Sequence, residues 1–504
     1  MLGEVAREAA RRFGAQPAFV TDGGWPLSYA DLDRLSDELA AGLARRGMRP
    51  GDVLALVLPA LPEYPVAYVA AAKLGAVVAG VNPRLSAFER ARVLELARPR
   101  LTLATADLLP DGNGEPHAEV VEVVPAERAD DVHAALRAPG ETPPVLAPDD
   151  ERPLALIFTS GTTGLPKAAV YAGRQLRAIT AIDVGDRWGG GGRSLAGQAL
   201  AHLGFMTKLP GNLRTGSTVF LQRQWRAETA LRLVADQRLT VLGGIPTQIA
   251  LMLRVPDFDA YDLECVQAVV MGGGPATPAL VREARQRFGA PVAVRYSSTE
   301  CGIGVGTAFT DPPEDAEETV GRALPGVELA LLDPDDRPVA PGEVGQVCLR
   351  SPAVMSGYWD DPEGTAAVFT ADGFVRTGDL GWQDDRGRLH LAGRTKEMYV
   401  RGGYNVYPME VEAVLAEHPD VAAVAVVPRA DPVMGEIGVA VVVPRRPKEG
   451  PALDDLRAFA APRLAAYKLP EAMAVVEALP LTAMEKVDRR ALVAAVEAEL
   501  ASEP

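Results

Sequence analysis

Cysteine is scarce in this 504-residue chain: Cys265, Cys301 and Cys348 are the only three, widely spaced and odd in number. That excludes a disulfide framework and any paired metal-ligand spacing, and it predicts a reducing compartment in which the thiols pack as small apolar groups. Histidine is scarce too; five scattered residues give no zinc signature. Positive charge is in deficit, with 51 Lys and Arg against 67 Asp and Glu and a net charge of -16. Nucleic acid and anionic membrane surfaces would repel such a chain. No apolar run is long enough to span a bilayer, which takes about 20 residues. The best stretch, Val66 to Val81, is shorter and is interrupted by Lys73. The first residues, Met1-Leu2-Gly3-Glu4-Val5-Ala6-Arg7-Glu8, are charged early and lack a signal-peptide core. These absences predict a cytoplasmic protein with no nucleic-acid or membrane partner. They do not decide whether it forms an oligomer.

The chain exceeds what one core usually supports, so two or more domains are expected. Helical spacing over Tyr29 to Arg46, a strand at Val53 to Leu58 and a second helix over Glu63 to Lys73 begin an alternation that recurs to about residue 300. This is the signature of α/β layers with mainly parallel strands. After Pro325 the texture changes to short strands between Gly and Asp turns, at Gly342 to Leu349, Phe374 to Thr377 and Arg388 to Leu391. From Met409 helices and strands alternate again. The fold class expected is α/β: a large N-terminal domain of α/β layers with a β-rich subdomain near 325–394, and a small mobile α+β C-terminal domain over 395–504.

Against these absences stands one dense segment, Thr159-Ser160-Gly161-Thr162-Thr163-Gly164-Leu165-Pro166-Lys167, which follows the apolar run Leu154 to Phe158. Glycines let backbone N–H groups turn towards an anion, hydroxyls donate to phosphate oxygens, and lysine adds a mobile point charge. A polyphosphate cradle is therefore expected. It is not a Walker loop, because Pro166 precedes Lys167 and Ala168 follows it. Pro166 argues against a helix, and the apolar Ala168 to Tyr171 predicts a second strand, so the loop should join two strands.

Other segments carry chemistry. Gly272-Gly273-Gly274-Pro275 follows an apolar run and lets backbone approach a flat ligand. Tyr296-Ser297-Ser298-Thr299-Glu300 places an aromatic face, hydroxyls and a carboxylate near strand ends, where open α/β sheets bind ligands. Glu300 suits Mg²⁺, which takes few carboxylates plus phosphate oxygens. Asp379 in Arg376-Thr377-Gly378-Asp379 can accept two ribose hydroxyls, and Arg394 in Gly393-Arg394-Thr395-Lys396-Glu397 can bind a phosphate or hydroxyl. Lys486 lies in Leu481 to Arg490.

Taken in order, these segments resemble the adenylate-forming superfamily of acyl-CoA synthetases, peptide-synthetase adenylation domains and beetle luciferases. Leu27 to Leu32, Gly75 to Val78, Asn82-Pro83-Arg84, Gly342 to Gln346 and Gly357-Tyr358-Trp359 extend the likeness over nearly the whole chain. The resemblance implies two half-reactions: a carboxylate attacks the α-phosphate of ATP, and a thiol then displaces AMP after the C-terminal domain rotates. It implies that Thr159, Ser160, Gly161, Thr162, Thr163, Gly164 and Lys167 hold the β- and γ-phosphates. Gly273, Gly274, Pro275, Tyr296 and Ser297 would meet the nucleotide, Thr299 the α-phosphate, Glu300 the Mg²⁺, and Asp379 and Arg394 the ribose. Lys396 matches the hinge, and Lys486 the lysine bridging carboxylate and α-phosphate.

Gly402-Gly403-Tyr404 looks like the segment lining the pantetheine tunnel of CoA ligases, so coenzyme A is the expected acceptor. Gly197 to Phe205 has no aspartate to pair a substrate amine, which implies a non-amino carboxylic acid. His202, Phe205, Gly243, Ile245, Gly272, Cys301 and Gly302 are the expected acyl pocket, with His202 counted among the catalytic set. An acid–thiol ligase forming AMP is the resulting expectation. Two departures qualify it, because Glu485 and Ala168 stand where the family pattern has glycine. Glycine permits positive φ, and a carboxylate beside Lys486 would oppose adenylation. One alternative is thus an enzyme that joins CoA to an acyl-adenylate supplied by a separate adenylating enzyme; another loads a carrier protein.

Overall fold

The computed structural model describes residues 1–109, 119–160, 166–446, 450–483 and 486–501. Six strands form the first large sheet, in the order Glu119–Glu122, Leu101–Ala104, Val53–Val57, Val77–Gly80, Pro153–Ser160, Pro166–Ala172. All pairs are parallel except the last. Every residue of Val53–Val57 and Val77–Gly80 is buried, which is why these strands read as unbroken apolar runs. A nine-stranded sheet follows the order Arg322–Ala323, Val305–Gly306, Val292–Tyr296, Ala268–Gly272, Val241–Gly244, Arg193–Leu195, Thr218–Phe220, Pro17–Val20, Pro26–Ser28. Its centre is parallel and both edges are antiparallel.

The apolar stretch that stops short of a membrane span is a buried helix followed by a buried strand. Helix Glu63–Leu74 ends at Gly75, whose φ of 78° closes it in the left-handed conformation. Lys73 within it is buried, and its ammonium pairs with Asp33 at 2.6 Å and Asp37 at 2.8 Å. Helix Tyr29–Arg45 starts where Ser28 accepts the Asp31 N–H at 3.0 Å, a cap worth about 1 kcal/mol. Its Leu32, Leu35, Leu39 and Leu43 join Phe19 and Val219 of one sheet and Leu54 and Leu56 of the other in a single core. Among the described residues no helix is long and apolar enough to cross a membrane.

Four antiparallel strands, Glu328–Leu332, Gly345–Arg350, Val375–Gln383 and Leu389–Arg394, make the β-rich part. The third strand runs well past the expected Phe374 to Thr377. Gly378, with φ 77°, is not a turn that ends it. It belongs to a bulge, because the pairing shifts between Gln346 and Cys348 opposite Thr377, Gly378 and Asp379. Bulges re-aim side chains, and this one serves Asp379.

After the turn at 395–397 a five-stranded sheet begins, built on Val421–Asp431 and Gly435–Pro444. Its strands alternate faces. Val426, Ala440 and Val442 pack with Leu415 and Leu456, while Ala425, Val427, Val439 and Val441 pack with Leu492 and Val496. A two-sided core of this kind gives the C-terminal lobe its own stability.

Candidate active site

Strand Pro153–Ser160 and strand Pro166–Ala172 form the hairpin expected around the phosphate segment, with Thr159 opposite Lys167. Gly161, Thr162, Thr163 and Gly164 lie outside the described residues, as does the side chain of Ser160. Lys167 pairs with Asp361 at 3.2 Å and lies 4.6 Å from the centre of the Tyr358 ring. Tyr358 in turn donates to Glu300 Oε1 at 2.8 Å. The lysine at the root of the loop and the carboxylate expected to hold a metal are thus bridged by one tyrosine. Ala168 needs a correction. It lies in regular strand opposite Phe158 and has no positive φ, so alanine costs nothing there.

Parallel strands deliver the next group. Gly273 follows strand Ala268–Gly272 with φ 80°, and a Cβ there would stand 3.3 Å from Gln198 and 3.4 Å from Ile245. Tyr296 ends the neighbouring strand with its ring buried and donates to Asp379 Oδ2 at 2.7 Å. Burial, with Asp379 adding to it, raises the phenol well above its ordinary pKa. Thr299 is anchored through its carbonyl, which accepts from Tyr171 at 2.6 Å, and Ser297 lies on the same segment. Asp379 and Arg394 face each other across adjacent strands, with Arg394 Nε donating to Asp379 Oδ1 at 2.8 Å.

The C-terminal lobe completes the cleft. Lys486 sits in a narrow loop whose ends bridge at Leu481 and Val487, and Thr482 N donates to Lys486 O at 2.7 Å. Its ammonium stands in the field of Arg394, Asp379, Glu300 and Glu397, and enclosure together with Arg394 lowers its pKa. The residue is nevertheless exposed to the solvent of the cleft. His202 is partly buried, and burial with Lys486 and Arg84 nearby lowers its imidazole to about 4. It is therefore neutral at physiological pH. Glu485 lies outside the described residues.

Of the expected acyl-pocket residues, a Cβ on Gly243 would face open space, His202 is half-buried beside Asn82, and Ile245 is buried. The others are placed differently. Phe205 is buried edge-on against Tyr64, with ring centres 6.1 Å apart. Cys301 is fully buried among Tyr296, Val305 and Val347, which pushes its thiol up to about 12. A Cβ on Gly302 would meet the Ala353 carbonyl at 2.5 Å, and one on Gly272 the Arg295 carbonyl at 3.0 Å. Glycine at these two positions serves packing. Gly402 and Gly403, with φ 54° and 88°, make the tight hairpin that presents Tyr404 against Tyr467 at 4.7 Å. Lys396 is exposed in the turn between the two sheets. Asn82, Tyr358, Asp361 and Glu397 belong to the cleft although sequence reasoning assigned them no role. Asn82, Tyr358 and Glu397 lay in the short motifs Asn82-Pro83-Arg84, Gly357-Tyr358-Trp359 and Gly393 to Glu397, whereas Asp361 carried no signal.

Glu300, Asp379 and Arg394 of the larger part and Lys486 of the C-terminal lobe thus share one cleft at the strand ends of the α/β sheets. The family model described as AMP-binding enzyme matches residues 6–359, and the AMP-binding enzyme C-terminal domain matches 410–486. Indoleacetate–CoA ligase of Aromatoleum aromaticum is 34% identical over 487 residues, covering 93% of each chain. The fatty acid–[acyl-carrier-protein] ligase ScoC of Streptomyces coeruleorubidus is 33% identical, covering 94% of this chain and 92% of its own. Among solved structures, the amide bond synthetase McbA of Marinactinospora thermotolerans superposes with a TM-score of 0.87 at 30% identity, over 98% of this chain and all of its own. The chain belongs to the AMP-binding enzymes of the adenylate-forming superfamily, on their acid–thiol ligase branch.

Proposed function

We propose that the protein is an acid–CoA ligase that adenylates a non-amino carboxylic acid and then passes the acyl group to the thiol of coenzyme A. The position of Lys486 carries this reading. The C-terminal lobe brings its ammonium to the cleft shared by Glu300, Asp379 and Arg394. In the first step a carboxylate oxygen bonds to the α-phosphorus of ATP and pyrophosphate leaves. Negative charge moves between oxygens as it does so, and a fixed cation in an enclosed site stabilises that shift. In the second step the thiol sulfur bonds to the acyl carbon and AMP leaves with the electron pair.

The roles proposed are those the resemblance implies. Thr159 to Lys167 hold the outer phosphates, with Lys167 exchanging Asp361 for phosphate oxygen. Gly273, Gly274, Pro275, Tyr296 and Ser297 bound the adenine side, Thr299 meets the α-phosphate, and Asp379 with Arg394 takes the ribose. Glu300 fits a Mg²⁺ that arrives with the nucleotide. It is a single carboxylate, and the described residues hold no group of three His, Cys, Asp or Glu side chains able to bind a metal. When bound, Mg²⁺ would neutralise phosphate charge. The acid enters beside His202, Gly243 and Ile245, with Phe205, Cys301, Gly302 and Gly272 behind that surface. The large unit spans 1–394 and the small one 395–504, turning near Lys396, so that Gly402, Gly403 and Tyr404 replace Lys486 for the thiol step.

CoA-dependent release of AMP from ATP in the presence of a panel of carboxylic acids, with the thioester detected by mass, tests the reading. Pyrophosphate release with no thioester on CoA, but with product on a carrier protein, would move the assignment to carrier loading. The supplied-adenylate alternative now rests on Glu485 alone, since Ala168 is unstrained. It would require thioester from synthetic acyl-adenylate with little pyrophosphate from acid and ATP.

A further inference from the structure

Asn82 lies just beyond strand Val77–Gly80 and is nearly fully buried. Its carboxamide orientation follows from its own chain, because Arg84 N–H donates to Asn82 Oδ1 at 3.0 Å. The amide nitrogen must then face the other way. Nδ2 lies 3.3 Å from His202 Nε2 and 3.2 Å from the Ala483 carbonyl. A carbonyl only accepts, so Nδ2 is the donor there. His202, held neutral, offers Nε2 as an acceptor and keeps its proton on Nδ1. One buried side chain of the large domain therefore ties the acid-side histidine to the loop that carries Lys486, three residues beyond Ala483.

We infer that Asn82 is the positioning residue that seats the Lys486 loop for adenylation, acting through its paired hydrogen bonds to Ala483 and His202. The inference rests on the ligase reading above. The tie must break when the C-terminal lobe turns away, so Asn82 favours the first half-reaction and is dispensable in the second. A second inter-lobe contact, Arg282 with Glu417 at 3.3 Å, is about one-third solvent-exposed, with side chains 42% and 31% accessible. Solvent screens such a pair to little or nothing, which makes it the natural control.

The experiment measures both half-reactions on the full chain. Pyrophosphate release is followed with ATP and indoleacetate, ferulate or octanoate as probe acids. Thioester formation is followed from CoA and the synthetic adenylate of the best probe. Asn82→Ala should slow pyrophosphate release about tenfold, the scale of one lost hydrogen bond, and leave the thioester step within about twofold. Glu417→Gln should change neither by more than about twofold. Asn82→Asp keeps the size but turns a donor into a carboxylate facing two acceptors, so it too should slow adenylation at pH 8. The new carboxylate raises the proton affinity of the pair it forms with His202, and a shared proton restores one hydrogen bond. The loss relative to wild type at the same pH should therefore be about threefold smaller at pH 6 than at pH 8. The charged groups facing the site, Lys486 and Arg84, are unchanged in all variants. Equal loss of both half-reactions, or unchanged adenylation in Asn82→Ala, would overturn the inference. The ligase reading itself fails by a different result, namely no pyrophosphate release by wild type with any probe.

Discussion

Lys73 in the helix Glu63–Leu74 and Lys486 in the C-terminal loop both stand near carboxylates, and the two regions use them in opposite ways. Lys73 is sealed, its side chain 2% exposed, and is held by Asp33 and Asp37. Its charge is spent inside the fold, tying that helix to Tyr29–Arg45. Lys486 faces a cleft, and among the described residues no carboxylate is in ion-pair contact with it, while Arg394 adds like charge. A cation left partly uncompensated costs stability and is suited to a substrate that brings negative charge. The same residue type is a structural rivet in one place and a reserve of charge in the other.

The comparison breaks most readily at Lys73. Lys73→Met should destabilise the fold by about 1–3 kcal/mol, because the half-buried Asp33 would lose its ammonium partner while Asp37 would keep only Arg7, at 3.5 Å. Denaturant titration reads the loss, and the ratio of the two half-reactions in the remaining native protein should match wild type. Lys486→Ala should do the reverse. Pyrophosphate release should fall about 10²–10³-fold, the denaturation midpoint should hold or rise slightly, and thioester formation from a synthetic adenylate should persist. A collapse of both half-reactions would remove the distinction between the two lysines.

That distinction was only partly legible in the sequence. The buried parallel strands were plain, because residues such as Val53 to Val57 need apolar side chains on both faces. The hairpin around the phosphate segment was also plain, since Pro166 forbids a helix there. What escaped depended on distance along the chain. Asn82 meets Ala483 across 401 positions, and no local pattern reports such a contact. Phe205 and Cys301 follow motif positions correctly yet face the core, because apolar residues beside a pocket and behind it share one local signature. Gly378 looked like a turn, and only the pairing partner Val347 reveals it as a bulge.

The pH profile sharpens the contrast further. In the proposed adenylation the ammonium of Lys486 is the working form, and desolvation together with Arg394 lowers its pKa from the ordinary 10.5. It therefore loses its proton earlier as pH rises, and adenylation should fall along an alkaline limb that lies below 10.5. Arg394→Gln removes the like charge and should move that limb upward, measured as pyrophosphate release at saturating ATP so that weaker ribose binding does not intrude. A limb that stays in place would show that Arg394 exerts no field on the lysine.

Glu485 offers the smallest expected effect, because it would treat Lys486 as Asp33 treats Lys73. A carboxylate about 4 Å from the ammonium interacts by up to about 4 kcal/mol at an effective dielectric near 20, but cleft solvent reduces that to a fraction. Glu485→Gly should raise pyrophosphate release about three- to tenfold and leave the thioester step unchanged. Glu485→Gln separates the causes, since it removes the charge and keeps the side chain. A gain in both variants assigns the effect to charge, and a gain in the glycine variant alone assigns it to the backbone freedom that glycine adds. If neither variant gains, the native enzyme already adenylates at full rate, and no second enzyme is needed to supply the acyl-adenylate.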